Sequence, residues 1–320
     1  NVAIHLSFNL NERLVNNATH VIVLMIPSGT HFELQAVEHA VVATGGAVLD
    51  HRNMPVPVTL SASRTVHNFH IDCRDEAALS KRLRDISDLH RVDLALQPRG
   101  MRTRRYRLAV FDMDSTLIDC EVIDELADVA GVGHEVAAIT ARAMRGEVDF
   151  DESFRTRLAL LKGLNSDAVA ILADRLPIKE GLREMTTTLR ARGMTLAIFS
   201  GGFLPIAKRL QQDFGFDEVV ANALETKGGI VTREVIPPIV NREYKAMALQ
   251  ALSDRLGIDV EQSIAVGDGA NDLSMMALAG MGVAFHAKPA VRAASPIEVT
   301  FGGLDGICYL LGSEGDFATD

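Results

Sequence analysis

The chain has 320 residues, 48% of them hydrophobic, which suits about two globular domains with substantial cores. Its formal net charge of −10 argues against general binding to nucleic acid or acidic membranes, so we expect neither partner. The cysteines Cys73, Cys120 and Cys308 lack metal-ligand spacing, which indicates reduced thiols and predicts a cytoplasmic protein. We find no apolar run near the roughly 18 residues of a membrane span, and no signal-peptide pattern at the first residues.

The first part of the chain predicts a small α+β unit. A strand at 21–27 is followed by a helix at 31–46, which ends at a Gly-Gly pair. Two strands then flank a proline-containing break, and an amphipathic helix and a last strand follow. The order β-α-β-β-α-β is that of a ferredoxin-like fold. The segment 2–8 is a candidate for an extra strand.

Five arginines lie in the segment PRGMRTRRYR, residues 98–107. Such a segment is either a nucleic-acid patch or a solvated linker between domains. The negative net charge and the lack of an interleaved aromatic pattern favour the linker, which we place at 99–105. The N-terminal domain is then 1–98 and the second domain 106–320.

Short apolar runs alternate with helical segments in the second domain. This alternation predicts an α/β fold with a doubly wound parallel sheet. The four predicted strands are YRLAVF (106–111), MTLAIF (194–199), QSIAVG (262–267) and MGVAF (281–285).

Two interruptions of this pattern predict additional elements. Residues 121–182 contain helical segments without a candidate strand, and they are too long for a simple crossover, so we expect an inserted helical cap. In NALETKGGIVTREV, the Gly228-Gly229 turn separates two alternating runs, which predicts a β-hairpin.

Acidic residues follow two of the predicted strands. Asp112 and Asp114 lie two positions apart, so in extended chain both point to the same side. They are either solvated turn residues, with Asp114 as a helix cap, or a pair that requires a proton or a hard cation. Asp268 follows another strand in a glycine-flanked loop and adds a third carboxylate at the same sheet edge. Oxygen donors without cysteine or clustered histidine predict Mg²⁺.

Candidate phosphate-binding residues occupy two other loops. Ser200, Gly201 and Gly202 follow a strand and precede a helix, where exposed N–H groups suit an anion, although a tight turn uses the same glycines. Lys245 is either a solvated charge or the cation that balances a phosphate in this acidic protein. Asp272 is either a helix N-terminal charge or a support for the metal ligands. Together these residues predict phosphoryl transfer to a carboxylate, with a second carboxylate as general acid and base.

These motifs in combination resemble a known family. DMDSTL (112–117), SGG (200–202), Lys245 and GDGAND (267–272) resemble the four motifs of the haloacid dehalogenase-like phosphatases. The segments DSTLIDCEVIDELA and ITARAMRGEVDFDESFRTRLALL resemble, more narrowly, the phosphoserine phosphatases of that family. The resemblance covers roughly residues 106 to 312.

The resemblance implies a role for each matching residue. It makes Asp112 the nucleophile and Asp114 the general acid and base. It implies Mg²⁺ bound by Asp112, by the backbone carbonyl of Asp114 and by Asp268. Ser200 and Lys245 correspond to the phosphate-binding pair.

The resemblance also implies substrate-binding residues in the cap. Glu121 corresponds to the residue that receives the serine ammonium, and Arg157 to the one that receives its carboxylate. Arg157 lies at helical spacing from the apolar Phe154 and Leu161, so it is either a carboxylate ligand or an arginine that extends past the stripe to water. The other substrate-binding candidates are Met144, Phe150, Gly201 and Asn271.

The N-terminal unit resembles an ACT-type regulatory domain in its topology. That resemblance implies a bound amino acid, such as serine, near the turn at 28–31, and a homodimer. For the whole chain, we expect Mg²⁺-dependent hydrolysis of O-phospho-L-serine to serine and phosphate through an aspartyl-phosphate, the last step of serine biosynthesis. The alternatives are a phosphotransferase acting on homoserine or another alcohol, and a catalytically idle amino-acid sensor.

Overall fold

The computed structural model describes residues 15–55, 64–145 and 147–312, without the side chain of Met144. The N-terminal unit has the predicted order β-α-β-β-α-β, with an antiparallel sheet in the order β2-β3-β1-β4. The strand predicted at 2–8 lies outside the described residues. The elements of this unit are β1 (His20–Pro27), α1 (Gln35–Ala43), β2 (Ala47–Met54), β3 (Arg64–Asp72), α2 (Glu76–His90) and β4 (Asp93–Pro98).

The two faces of the N-terminal sheet have different partners. Ile22 and Leu24 of β1 pack under helices α1 and α2, in a core of their own. Val21 and Val23, which alternate with them, belong to the main core of the second domain. Because successive side chains of a strand point to opposite faces, one strand contributes to both cores.

The second sheet has six parallel strands in the order β12-β11-β10-β5-β6-β7, which confirms the predicted doubly wound architecture. The predicted hairpin is also present, as β8 and β9. The sequence interpretation missed the two edge strands, β7 and β12, because they are short and each contains a glutamate. The strands are β5 (Leu108–Phe111), β6 (Thr195–Phe203), β7 (Glu218–Asn222), β8 (Leu224–Lys227), β9 (Ile230–Val235), β10 (Ser263–Gly267), β11 (Met281–Phe285) and β12 (Ile297–Val299).

Helices cover the sheet and form the predicted cap, which consists of α4 to α7. In the part of the chain that the structure describes, no helix is both long and apolar enough to cross a bilayer. The helices are α3 (Arg99–Thr103), α4 (Val122–Ala130), α5 (Gly133–Met144), α6 (Phe150–Leu160), α7 (Ser166–Ala173), α8 (Leu182–Ala191), α9 (Leu204–Phe214), α10 (Arg242–Leu256), α11 (Leu273–Leu278), α12 (Pro289–Ala294) and α13 (Gly306–Tyr309).

The basic segment between the two units is structured. Arg102, in the short helix α3, is only 2% exposed. It donates hydrogen bonds to the carbonyl of Tyr309 at 2.6 Å and to Oε1 of Gln97 at 3.2 Å. The prediction of a solvated linker is therefore wrong at this residue, because the Tyr309 carbonyl, which helps to make burial of the guanidinium tolerable, comes from a distant part of the chain.

Candidate active site

Three aspartates form a buried cluster at the centre of the parallel sheet. Asp112 directly follows β5, and Asp268 directly follows the neighbouring strand β10. A carboxylate oxygen from each of Asp112, Asp268 and Asp272 lies within 4.8 Å of the other two. A buried set of hard oxygen donors at this spacing fits a divalent cation, so these three residues could hold one.

Lys245 is the counter-ion of this cluster. Its Nζ donates to Oδ1 of Asp112 and to Oδ1 of Asp272, each at 2.7 Å. Burial alone lowers the pKa of Lys245, but the two carboxylates outweigh it and raise the pKa above its ordinary value. The side chain of Asn241 accepts from the amide of Tyr244 and caps α10, which places Lys245 in the first turn. Lys245 is therefore a cation held next to Asp112.

Asp272 is more than a charge at a helix N-terminus, because its side chain bonds to other groups of the cluster. Its Oδ2 accepts from the amide of Gly269 at 3.0 Å, and its Oδ1 accepts from Lys245. A Cβ at Gly267 would lie 2.4 Å from the Asp272 carboxyl carbon. Gly267, the first glycine of the GDGAND segment, thus leaves room for the Asp272 carboxylate, which orients Lys245.

Asp114 is poised to be a proton donor. Burial, followed by the charges of Glu121 and Asp112, raises the pKa of Asp114 well above its ordinary value, so its protonated form is favoured. Its Oδ1 is buried and has no hydrogen-bond partner among the described residues. A carboxyl group at a cavity wall that favours its protonated form can protonate a leaving group.

The predicted site residues surround one cavity of about 110 Å³ between the sheet edge and the cap. Lys245 lies behind Asp112 and is not part of the cavity wall. The prediction for the Met144 side chain lies outside the described residues. The predicted residues that line the cavity are Asp112, Asp114, Glu121, Phe150, Arg157, Ser200, Gly201, Asp268 and Asn271.

Glu121 and Arg157 contribute opposite charges to the cavity wall. Oε1 of Glu121 accepts from the Ser115 hydroxyl at 2.9 Å, and burial raises the pKa of Glu121. Arg157 is half-buried and forms no salt bridge with another described residue. Its guanidinium faces the cavity instead of extending to open water. A half-buried cation that forms no salt bridge within the protein can receive an anionic group of a ligand.

Ser200 and Gly201 occupy the irregular end of β6, not the first turn of the next helix. The pairing of β6 with β7 shifts register between Phe199 and Phe203, and α9 starts only at Leu204. The Ser200 oxygen accepts from the amide of Gly202 at 2.8 Å, so its hydrogen is available to a ligand. This end of the strand presents a hydroxyl donor to the cavity.

The cap closes directly over this strand end. A Cβ at Gly201 would lie 3.0 Å from Cζ of Phe150, so the ring of this cap residue covers the glycine. Asp151 accepts from the side chain of Asn241 at 3.0 Å, which joins the cap to α10. A closed cap excludes water from the site and strengthens the electrostatic interactions inside it.

The sequence interpretation missed Lys288. Its Nζ lies 3.5 Å from Oδ2 of Asp268, and its side chain lines the cavity near Glu121. The available signal was a lysine shortly after the apolar strand MGVAF, at the carboxyl edge of the sheet. The other missed lining residues are Ile123, Phe154 and Phe203, whereas Gly202 was among the phosphate-binding candidates.

Comparison with known proteins identifies the family. Residues 106–280 match the haloacid dehalogenase-like hydrolases. A phosphoserine phosphatase of Mycobacterium tuberculosis is 44% identical over 221 residues, which are 69% of this chain and 54% of that protein. The chain thus spans about half the length of this relative. A phosphoserine phosphatase of Haemophilus influenzae is 44% identical over 220 residues, which are 69% of this chain and 70% of that protein.

A solved structure extends the similarity over almost the whole chain. A haloacid dehalogenase family hydrolase of Salmonella enterica superposes with a TM-score of 0.82 and 29% identity, over 92% of this chain and 99% of that one. The superposition therefore includes most of the N-terminal unit as well as the parallel sheet and cap. The chain belongs to the haloacid dehalogenase-like hydrolase family.

Proposed function

We propose that this enzyme hydrolyses O-phospho-L-serine to serine and phosphate. The observation that carries the proposal is the presence of Glu121 and Arg157 in the same cavity as Asp112 and Asp114. Phosphoserine carries an ammonium, which suits Glu121, and a carboxylate, which suits Arg157. Its phosphate suits the hydroxyl donor of Ser200 on the same cavity wall. The two relatives that are phosphoserine phosphatases support the same substrate.

Two carboxylates carry out the reaction. A carboxylate oxygen of Asp112 attacks phosphorus in line, and the bond from phosphorus to the seryl oxygen breaks while Asp114 protonates that oxygen. Water then attacks the aspartyl-phosphate, Asp114 removes its proton, and phosphate leaves with Asp112 restored. Ser200 donates a hydrogen bond to the phosphoryl group, and Lys245 orients Asp112 and offsets the added negative charge.

The cation that suits this site is Mg²⁺. Asp112, Asp268 and the backbone carbonyl of Asp114 would hold it, and Asp272 would orient Lys245 beside them. When bound, the ion supplies charge neutralisation for the phosphoryl oxygens.

One assay tests the function and its alternatives. The enzyme with Mg²⁺ is given phosphoserine, with and without homoserine, and free phosphate is measured. We expect phosphate to be released at the same rate with and without homoserine. Release of less phosphate with homoserine, matched by phosphohomoserine, would make the enzyme a phosphotransferase. A folded, metal-loaded protein without turnover would be a sensor.

We also propose a regulatory role for residues 1–98, followed by a linker at 99–105 and a catalytic part at 106–320 with the cap at about 121–182. The observed β-α-β-β-α-β order supports an ACT-type domain. Serine is the proposed effector, near 28–31, in a cytoplasmic homodimer that performs the last step of serine biosynthesis. The test is the effect of added serine on turnover and on molecular mass by light scattering. No change in either would contradict the regulatory role.

A further inference from the structure

The loop between β12 and α13, residues 300–305, is attached to the N-terminal unit by a buried carboxylate. Asp93, at the start of β4, is 1% exposed. Its Oδ1 accepts from the amides of Thr300 at 2.6 Å and Phe301 at 3.0 Å, and its Oδ2 accepts from Gly302 at 2.7 Å. Three consecutive amides on one carboxylate fix the backbone of this loop.

A buried ion pair attaches the other end of the same loop. Nη2 of Arg64, in β3, lies 2.7 Å from Oδ1 of Asp305, and both side chains are almost fully buried. A Cβ at Gly302 would lie 2.2 Å from Nη1 of Arg64, so the loop passes directly over the guanidinium. The N-terminal unit therefore holds the loop at both ends.

The opposite side of the loop contacts the segment where the chain leaves the cap. The amide of Leu304 donates to the carbonyl of Glu180 at 2.8 Å. Gly181 has φ +80°, and a Cβ there would lie 2.4 Å from Oδ1 of Asp305. The Asp305 carboxylate, which pairs with Arg64, thus packs against the segment that leads from the cap back to the sheet.

The two connections of the cap, residues 117–119 and 177–181, are paired at this place. The amide of Asp119 donates to the carbonyl of Pro177 at 2.7 Å, and the amide of Lys179 donates to the carbonyl of Leu117 at 3.0 Å. A rigid cap can open relative to the sheet only by bending the segments that connect it. The 300–305 loop therefore contacts the hinge of the cap.

We propose that the N-terminal unit braces this hinge, and that Asp93 and Arg64 are positioning residues for cap closure. They act through the 300–305 loop and touch neither substrate nor metal. Releasing the loop lowers the free energy needed to open the cap. The part of the test that uses phosphoserine rests on the proposed function, and the part that uses hydrogen exchange does not.

The test measures native-state amide hydrogen exchange in the full chain, by mass spectrometry, for residues 117–119 and 177–181. The variants are Arg64→Met, which leaves Asp305 without its partner, and Asp93→Asn, which replaces one acceptor oxygen with a donor. The matched control is Asp88→Ala. Asp88 pairs with Arg292 at 2.7 Å in the same interface between units but does not touch the loop. Amides at the centre of β10 report global stability in each protein.

We expect the hinge amides to exchange about tenfold faster in both variants, with the β10 amides unchanged, because local opening is independent of global unfolding. Arg64→Lys, which keeps the cation, restores slow exchange. Phosphoserine KM rises about fivefold with kcat nearly unchanged, since only the closed fraction binds well. Wild-type exchange at the hinge in folded Arg64→Met or folded Asp93→Asn, or equal acceleration in Asp88→Ala, would overturn the proposal. If Arg64→Met does not fold, Asp93→Asn and Arg64→Lys decide the outcome.

Discussion

Nζ of Lys245 lies 2.7 Å from Oδ1 of Asp112, and the two side chains are 0% and 5% exposed. A buried carboxylate and a buried ammonium stabilise each other, because either charge alone would be costly to remove from water. The contact uses Oδ1 of Asp112, and in the proposed reaction the other oxygen attacks phosphorus. Asp114, only two residues from Asp112, has no such cation contact among the described residues, and burial together with the charges of Glu121 and Asp112 raises its pKa.

Replacing the proposed nucleophile should abolish turnover without unfolding the protein. Asp112→Asn has nearly the same shape, but an amide oxygen cannot form the aspartyl-phosphate. We expect phosphoserine turnover to fall by more than about a thousandfold. Circular dichroism should show the wild-type spectrum. A folded variant that retains a tenth of the activity would contradict the role of Asp112.

Removing the cap arginine should affect the substrate carboxylate specifically. A charge-assisted hydrogen bond to a carboxylate is worth about 1.5–3 kcal/mol, so Arg157→Ala should lower kcat/KM for phosphoserine by roughly 10- to 100-fold. O-phosphoethanolamine has the ammonium but no carboxylate. Its kcat/KM should therefore fall by less than about threefold in the same variant. Arg155→Ala, at an exposed position of the same helix, is the matched control. Equal losses on the two substrates would refute the role of Arg157.

Adding one methyl group at Gly202 should displace the general acid. A Cβ there would lie 2.6 Å from Oδ2 of Asp114 and 2.8 Å from Cε of Met113. We expect Gly202→Ala to lower kcat by about a hundredfold or more, because small misplacements of reacting groups are costly. Gly100→Ala is the control, since a Cβ at Gly100 meets nothing within 4 Å. Wild-type kcat in Gly202→Ala would show that Asp114 tolerates displacement.

Divalent metal should stabilise the folded protein through the aspartate cluster. Mg²⁺ at a hundred times its Kd contributes about 2.7 kcal/mol by mass action, which corresponds to a rise of roughly 5 °C in Tm for a chain of this size. A chelator should reverse the rise and stop turnover. Asp268→Asn should show neither effect of Mg²⁺, whereas a full Tm rise in that variant would place the metal elsewhere.

The positions of the proposed catalytic residues could be predicted from the sequence, because the ends of strands have local sequence patterns. Apolar runs bounded by glycine or polar residues predicted four strands of the second sheet, and Asp112 and Asp268 follow two of them. Parallel strands bring their carboxyl ends to one edge, so these two residues had to lie close together. The edge strands β7 and β12 were not predicted, because short strands with polar residues lack such a signal.

The sequence by itself determined the α/β architecture, the inserted cap and the set of side chains that could react, since periodicity and spacing are local properties of a chain. Only the tertiary structure decided which charges neutralise one another. Lys245 pairs with Asp112 and Asp272, Lys288 approaches Asp268, and Arg102 is buried against a distant carbonyl. The attachment of the 300–305 loop to Asp93 also depends on tertiary structure, because these contacts join residues more than 200 positions apart. Burial and long-range contacts set these interactions, and neither is encoded in any single segment.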